Sequence, residues 1–213
     1  MNGLSREQLL GDWIRERRRD FYYRRAKEEG YRSRAAYKLL QANDKLRFIR
    51  RGDVVLDLGA APGGWMQVLR GLVGEKGFVV GIDLTPLKGF PWDNVISVVA
   101  DFRHVDASTL LSRFPRAVDV VVSDASPNVS GIWELDHARQ IELAESAFDL
   151  SRGLLRRGGN FFAKVFQGDL LNAFRGKVGH HFENVKLLKP KACRKESAEM
   201  YLLATGYGLT KRV

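Results

Sequence analysis

The chain has 213 residues, 45% of them hydrophobic and 28% charged, with a formal net charge of +10. That much apolar material supplies one sizeable core, which excludes a disordered chain, and no apolar run reaches the ~18 residues of a membrane-spanning helix. Cys193 is the single cysteine, so an internal disulfide is excluded and a reducing, cytoplasmic setting is expected.

In chain order, residues 5–29 are dense in charge, with Arg17, Arg18, Arg19, Arg24 and Arg25 interleaved with Trp13, Phe21, Tyr22 and Tyr23. Basic residues mixed with aromatics suit a nucleic-acid strand, which offers both phosphates and stackable bases. Ser33 then reads as the N-cap of a helix over AAYKLLQANDKL, with Lys38 off its apolar stripe. From residue 53 short β-branched runs alternate with helical stretches. The runs are VVLDLG (54–59), FVVGID (78–83), VISVVAD (95–101), VDVVVSD (118–124) and NFFAKVF (160–166). Between them lie helices over GGWMQVLRGLVG, VDASTLLSRF (105–114) and HARQIELAESAFDLSRGLL (137–155), the last stopped by Gly158-Gly159. GDLLNAFRGKVGHHF reads as a further helix, followed by strands in NVKLLKP and AEMYLLATG. This alternation predicts an α/β fold with a mostly parallel sheet, helices on both faces and an antiparallel pair at the C-terminal edge.

The N-terminus lacks the apolar region of a signal peptide. Residues 1–51 hold 15 Lys/Arg against 7 Asp/Glu, whereas residues 52–213 hold 20 against 18. So focused an excess is a footprint for a polyanion. The expected organisation is a basic extension over residues 1–30 and one domain over 31–213. Candidate RNA contacts are the five arginines above with Arg32 and Arg34, and Lys191, Arg194 and Lys195 in a second basic run near the C-terminus.

Ligands of open α/β sheets bind beyond the carboxyl ends of the strands. Here those ends carry Gly59-Ala60-Ala61-Pro62-Gly63-Gly64-Trp65, Asp83, Asp101-Phe102 and Asp124, with Asp57 just inside the first strand. A ring of carboxylates is a poor cradle for pyrophosphate, and neither G-x-G-x-x-G nor G-x-x-x-x-G-K-[ST] is present. It suits a ligand with hydroxyls, an amine and positive charge, as S-adenosyl-L-methionine has. Asp83 would then accept from a ribose diol and Asp101 from the adenine amine, with Phe102 against the ring.

DLGAAPGGW and SDASPN-SG resemble the FtsJ/RrmJ family of S-adenosylmethionine-dependent RNA ribose 2′-O-methyltransferases, over about residues 20–206. The resemblance implies a Rossmann-like class I methyltransferase fold with a seven-stranded sheet. It implies cofactor contacts at Gly63, Trp65, Asp83, Asp101 and Asp124, beside the close approach that Gly59 allows. It also maps Lys38, Asp124, Lys164 and Glu199 onto the family's Lys-Asp-Lys-Glu tetrad.

The chemistry makes that mapping reasonable. A ribose 2′-hydroxyl is a poor nucleophile and must be held in line with the methyl group as its proton leaves. A lysine serves as a base when burial and a neighbouring cation favour its neutral form. Lys164, inside NFFAKVF, is the proposed proton acceptor or polarising cation, and Lys38 would stabilise the developing alkoxide. Asp124 and Glu199 would hold the two ammonium groups. Cys193, among Lys189, Lys191, Arg194 and Lys195, is expected to have a lowered pKa or to mark an RNA-contacting cluster. His180 and His181 lack companions at metal-ligand spacing, so no metal is expected. Trp133 and Asp136 read as loop residues at the cofactor rim.

Asn128 favours the large-subunit ribosomal branch of the resemblance over the tRNA-directed branch. The expected substrate is a uridine of 23S-type RNA in the assembled 50S subunit, modified by a monomeric enzyme. A tRNA ribose methyltransferase and a non-catalytic RNA-binding assembly factor on the same fold are the alternatives.

Overall fold

A computed structural model describes residues 20–194 and 196–209. Arg17, Arg18, Arg19 and Lys195, named above as RNA contacts, lie outside the described residues. Two helices come first, α1 (Phe21–Glu28) and α2 (Ala36–Leu46). The alternating part follows as β1 (Val54–Leu58), α3 (Gly64–Val73), β2 (Phe78–Asp83), β3 (Val95–Val99), α4 (Ala107–Leu111), β4 (Val118–Ser123) and α5 (Trp133–Leu154). The chain ends with β5 (Leu155–Phe166), α6 (Leu171–Gly179), β6 (Phe182–Leu188) and β7 (Glu199–Tyr207).

The seven strands lie in the order β3-β2-β1-β4-β5-β7-β6. Strands β1 to β5 are parallel, and β7 runs antiparallel between β5 and β6. The order reverses between β1 and β4, which is where an open α/β sheet leaves a crevice at its carboxyl end. Every residue of β1 and β4 is buried, as continuous apolar runs require in strands covered on both faces. One face packs Phe148, Leu154 and Phe174 of α5 and α6 on Val121 and Phe161. The other packs Leu39, Met66 and Leu69 of α2 and α3 on Val55, Val122 and Phe162.

Three local expectations are corrected. Ser33 does not cap α2; the N-cap is Ala35, without a side-chain bond, because the entering turn is closed by backbone bonds from Ala36 and Tyr37 to Ser33 and Arg34. Gly158-Gly159 does not stop α5. That helix ends at Leu154, where Leu155 turns extended, and the glycines lie inside β5. There the register against β4 shifts, and a Cβ on Gly159 would sit 2.9 Å from the Arg156 carbonyl. Helix α5 also starts four residues earlier than its periodicity suggests. Asp136 in its first turn accepts from the N–H groups of Ser130 and Gly131, so Trp133 and Asp136 are helical rather than loop residues.

Helix α1 packs on α2. Ala26 is buried with Tyr37 and Ala192, Gln41 donates to the Tyr22 hydroxyl at 3.0 Å, and the Tyr22 and Tyr37 rings lie 5.3 Å apart.

Candidate active site

A cleft of about 840 Å³ opens at the carboxyl end of the sheet, lined by Gly59, Asp83, Asp101, Phe102, Asp124 and Asn128 among others. The size suits a small organic ligand. Gly59 has φ +76°, and a Cβ there would stand 2.7 Å from Ala125 Cα. The glycine therefore lets β1 and the β4–α5 loop meet at the cleft floor. Asp83 fixes the two neighbouring loops, accepting from Ala61 N–H at 2.9 Å and Thr85 N–H at 2.8 Å. A second cavity, about 880 Å³, lies by α6 and the β6–β7 edge and has none of these carboxylates in its wall.

Beneath the cleft, Asp57 is fully buried and neither carboxylate oxygen has a hydrogen-bond partner. Burial, reinforced by the charges of Asp124 and Asp83, pushes its carboxyl well above the usual range. A buried group in that state lacks a cationic or donating partner, and a positively charged ligand in the cleft above it would favour its ionised form through the field. The donor set of the cleft thus fits a ligand carrying positive charge, hydroxyls and an amine.

Three of the expected cofactor contacts differ in detail. The indole of Trp65 is in the core, not the cleft: Nε1 donates to the Ala35 carbonyl at 2.8 Å, and the ring packs on Phe162 and Tyr201. Gly63 is covered by Arg32 and Phe90, each 2.8 Å from where its Cβ would be. Asp101 is not a free acceptor. Arg103 binds both its oxygens, His104 Nδ1 is 3.4 Å away, and the Arg103 hydrogen bonds hold the carboxyl down at about 2. An amine reaching Asp101 must share it with Arg103.

The structure brings Lys38, Asp124, Lys164 and Glu199 into one cluster at the edge of this cleft. Lys38 Nζ lies 2.6 Å from Glu199 Oε1 and 3.9 Å from Asp124 Oδ2. Lys164 is buried and donates to the Asp124 carbonyl at 2.8 Å, with Asp124 Oδ1 at 3.4 Å. Burial alone would lower the Lys38 ammonium, but Asp124 and Glu199 outweigh it and the net shift is upward. Burial likewise works against the Asp124 carboxylate, and the charges of Lys164 and Lys38 reverse that, holding it below the usual range.

Tyr201 was not singled out by the sequence, yet it joins the two halves of the cluster. Its hydroxyl lies 2.7 Å from Asp124 Oδ1 and 2.8 Å from Glu199 Oε1. Burial, with the two carboxylates, raises the phenol well above its ordinary value, so it stays protonated as a donor. The available signal was the period-2 alternation of β7, which puts Tyr201 on the same face as Glu199.

Cys193 corrects its expectation. The thiol is buried 3.3 Å from Glu199 Oε1, and burial, followed by the Glu199 charge, pushes it up to about 12. The lysines nearby in sequence do not make it a thiolate.

The basic residues divide. Arg24, Lys191 and Arg194 are exposed, as is Arg25, which pairs with Glu29 at 2.6 Å. Arg34 is not a free RNA contact: it pairs with Asp20 and donates to the Ala192 carbonyl, tying α1 to the loop before β7. Arg32 is used internally as well. Its guanidinium donates to the carbonyls of Lys88 and Gly89 at 2.7 Å and lies 3.9 Å from the Phe90 ring centre. Arg32→Ala is therefore expected to cost about 1–2 kcal/mol of stability, seen as a lower thermal midpoint, with RNA affinity changed less than twofold. A loss of RNA affinity without a loss of stability would reverse this assignment.

Among the described residues no helix is long and apolar enough to cross a membrane, and no three His, Cys, Asp or Glu side chains form a metal-binding group.

The sequence profile of FtsJ-like methyltransferases matches residues 31–207. The chain is 50% identical over 199 residues to the ribosomal RNA large subunit methyltransferase E of Methanocaldococcus jannaschii, covering 92% of this chain and 81% of that protein. It is 46% identical over 196 residues to the protein of the same name from Methanothermobacter thermautotrophicus, covering 92% and 93%. Among solved structures, a Plasmodium falciparum protein described as a candidate ribosomal RNA methyltransferase superposes with a TM-score of 0.73 at 26% identity, covering 83% and 98%. Aeropyrum pernix fibrillarin with natively bound S-adenosyl-L-methionine shares the fold alone, at TM-score 0.57 and 17% identity over 80% and 73% of the two chains. The fold is the Rossmann-like class I methyltransferase fold, its switch-point cleft fits a cationic nucleoside ligand, and the matched profile spans the sheet and the tetrad. The chain therefore belongs to the FtsJ-like methyltransferase family, with S-adenosyl-L-methionine as its cofactor.

Proposed function

We propose that this enzyme methylates a ribose 2′-hydroxyl in large-subunit ribosomal RNA. The observation that carries the reading is the convergence of Lys38, Asp124, Lys164 and Glu199 at the rim of the cofactor cleft. A hydroxyl acceptor needs a group that receives or polarises its proton and a positive field for the developing oxyanion. Lys164 takes the first role. Asp124 orients it through its carboxylate and carbonyl, leaving the ammonium a further donor for the acceptor oxygen. Lys38, held by Glu199, supplies the field. When bound, S-adenosylmethionine would supply its methyl group to the 2′-oxygen; Asp83 would accept from its ribose hydroxyls, Asp101 and Phe102 would meet its adenine, and Asp57 would face its positive end. As a neutral amine Lys164 would take the hydroxyl proton, and as an ammonium it would polarise the hydroxyl while that proton leaves to solvent.

The names of the relatives and Asn128 support large-subunit ribosomal RNA as the target, and a uridine in the assembled 50S subunit is the specific acceptor proposed. The protein would act in the cytoplasm as a monomer without a metal. The test compares methyl incorporation into unmodified large subunits, free large-subunit RNA and bulk tRNA, followed by mapping of the modified ribose. Transfer to large subunits at a uridine 2′-oxygen is the expected result. Preferential transfer to tRNA, or a base-methylated product, would overturn it.

The basic extension would add RNA affinity. Removing residues 1–19, which include Arg17, Arg18 and Arg19, is expected to weaken RNA binding about tenfold and reduce its salt slope by about 1 or more. S-adenosylmethionine affinity should be unchanged. Equal loss of both affinities would mean the segment serves the fold instead.

A further inference from the structure

Beside the Glu199 end of the tetrad three apolar side chains stand open, which is unexpected next to a hydrated, charged substrate. Trp133 opens α5 and is 45% exposed; Ile132 before it is 58% exposed, and Leu170 in the loop after β5 is 45% exposed. Trp133 stacks on Phe166 at 6.1 Å and 19°, and on His137 at 5.6 Å and 15°. His137 is fixed in turn, because its Nε2 accepts from the Leu170 N–H at 3.2 Å. The indole is therefore held in one orientation while close to half its surface stays open.

Its position relates it to the chemistry. Phe166 is the register partner of Glu199 across the β5–β7 ladder and stands two residues beyond Lys164, about 7 Å along the strand. The β4–α5 loop that lines the cleft at Asn128 leads directly into Trp133. A ribose whose 2′-oxygen reaches Lys164 carries its base on the adjacent carbon, within that same distance. Exposed, rigid aromatic surface next to a backbone-binding site is the arrangement that captures unpaired bases in RNA.

We infer that Trp133, backed by Phe166 and His137, is the stacking platform for the base of the acceptor nucleotide, presented unpaired and turned out of its helix. The inference rests on the RNA-methylating reading above and names how that substrate is held. Trp133 is a substrate-binding residue for the base, distinct from the tetrad that acts on the ribose.

The experiment uses the full-length enzyme with Trp133→Ala and Trp133→Phe. Two readouts are taken: kcat/KM for methyl transfer, and affinity for a single-stranded oligoribonucleotide in the presence of S-adenosylhomocysteine. Trp133→Ala is expected to lower both by roughly 5- to 150-fold, mainly through KM. Trp133→Phe should stay within about threefold with an unchanged thermal midpoint, Trp133→Ala should remain folded with a modestly lower one, and neither variant should change cofactor affinity. An acceptor RNA lacking the base at the target ribose should lower wild-type transfer to the level of the alanine variant, with no further loss when both changes are combined. Unchanged oligonucleotide affinity in Trp133→Ala overturns the platform. So does a defect seen on intact subunits but absent on naked RNA, which would mark the patch as a surface for a ribosomal protein. Reduced oligonucleotide affinity in the variant, with no methyl transfer to RNA by the wild type, would overturn the proposed reaction and leave the platform standing.

Discussion

Replacing Lys164 by Ala is expected to lower kcat for methyl transfer by about 10²–10⁴-fold while leaving S-adenosylmethionine affinity within a few fold. Lys164 is buried within hydrogen-bond reach of the Asp124 carbonyl and lies near its carboxylate, so the substitution removes the group proposed to receive or polarise the acceptor proton. The fold should survive the change. Removing one member of a buried ion pair commonly costs about 3–5 kcal/mol because a charge is stranded. Here Asp124 keeps the Tyr201 hydroxyl at 2.7 Å and the Lys38 ammonium at 3.9 Å, so the penalty should be at the lower end. Lys164→Arg separates the roles further. It retains charge but cannot act as a base, so activity close to wild type in the arginine variant would show that Lys164 polarises the hydroxyl and does not take its proton. Full activity in Lys164→Ala would remove Lys164 from the mechanism altogether. Single-turnover kinetics with circular dichroism on the same sample make the comparison.

Asp57→Asn should give opposite effects on stability and on cofactor binding. Asp57 is fully buried with both oxygens unpartnered, and its carboxyl is raised by burial and by Asp124 and Asp83. A raised carboxyl binds its proton more tightly when folded than when unfolded. Stability is therefore complete below the unfolded value of about 4 and declines as pH rises from there toward the folded value. An asparagine does not titrate and escapes that decline. The unliganded variant should match the wild type below about pH 4 and be more stable at pH 7, with the gap widening as pH rises between the two and the thermal midpoint moving about 2–4 °C for each kcal/mol gained. S-adenosylmethionine should bind about tenfold or more weakly, since a positively charged ligand favours ionisation of Asp57 and the variant has no such group to ionise. Calorimetric titrations and melting curves from pH 4 to 8 provide the check. A variant that is less stable at every pH, with cofactor affinity intact, would mean that Asp57 serves only the packing of β1.

Much of the sheet was legible because strands buried on both faces leave a continuous apolar signature. The runs at 54–58, 78–83 and 118–123 begin and end close to where periodicity and turn residues place them. The carboxylates at the strand ends were legible for the same reason, since their positions are set by local sequence and fold topology. Tyr201 was not, although it lies two residues from Glu199, because its role depends on Asp124, 77 residues away in the chain. Asp57 was visible as a strand-end carboxylate, but not as a buried group without a partner.

The α/β class, the mostly parallel sheet and the carboxylates at the strand ends were legible in the sequence itself, and the four proposed tetrad residues were named through short motifs shared with the FtsJ/RrmJ family. Each depends on local periodicity, on turn residues or on short motifs. What only the tertiary structure decided is which polar side chains remain free. Arg34 was one of several arginines in a basic stretch until the loop carrying Ala192, 158 residues later, arrived to accept from it. Arg32 was withdrawn by the backbone at Lys88 and Gly89, Trp65 by the Ala35 carbonyl, and Asp101 by Arg103. Cys193 sits among cations in sequence but beside Glu199 in space, which reverses the direction of its pKa. The physical reason is common to all of them. Charge and hydrogen-bonding capacity are properties of a residue, but solvation and partnership are properties of the neighbours that folding brings to it.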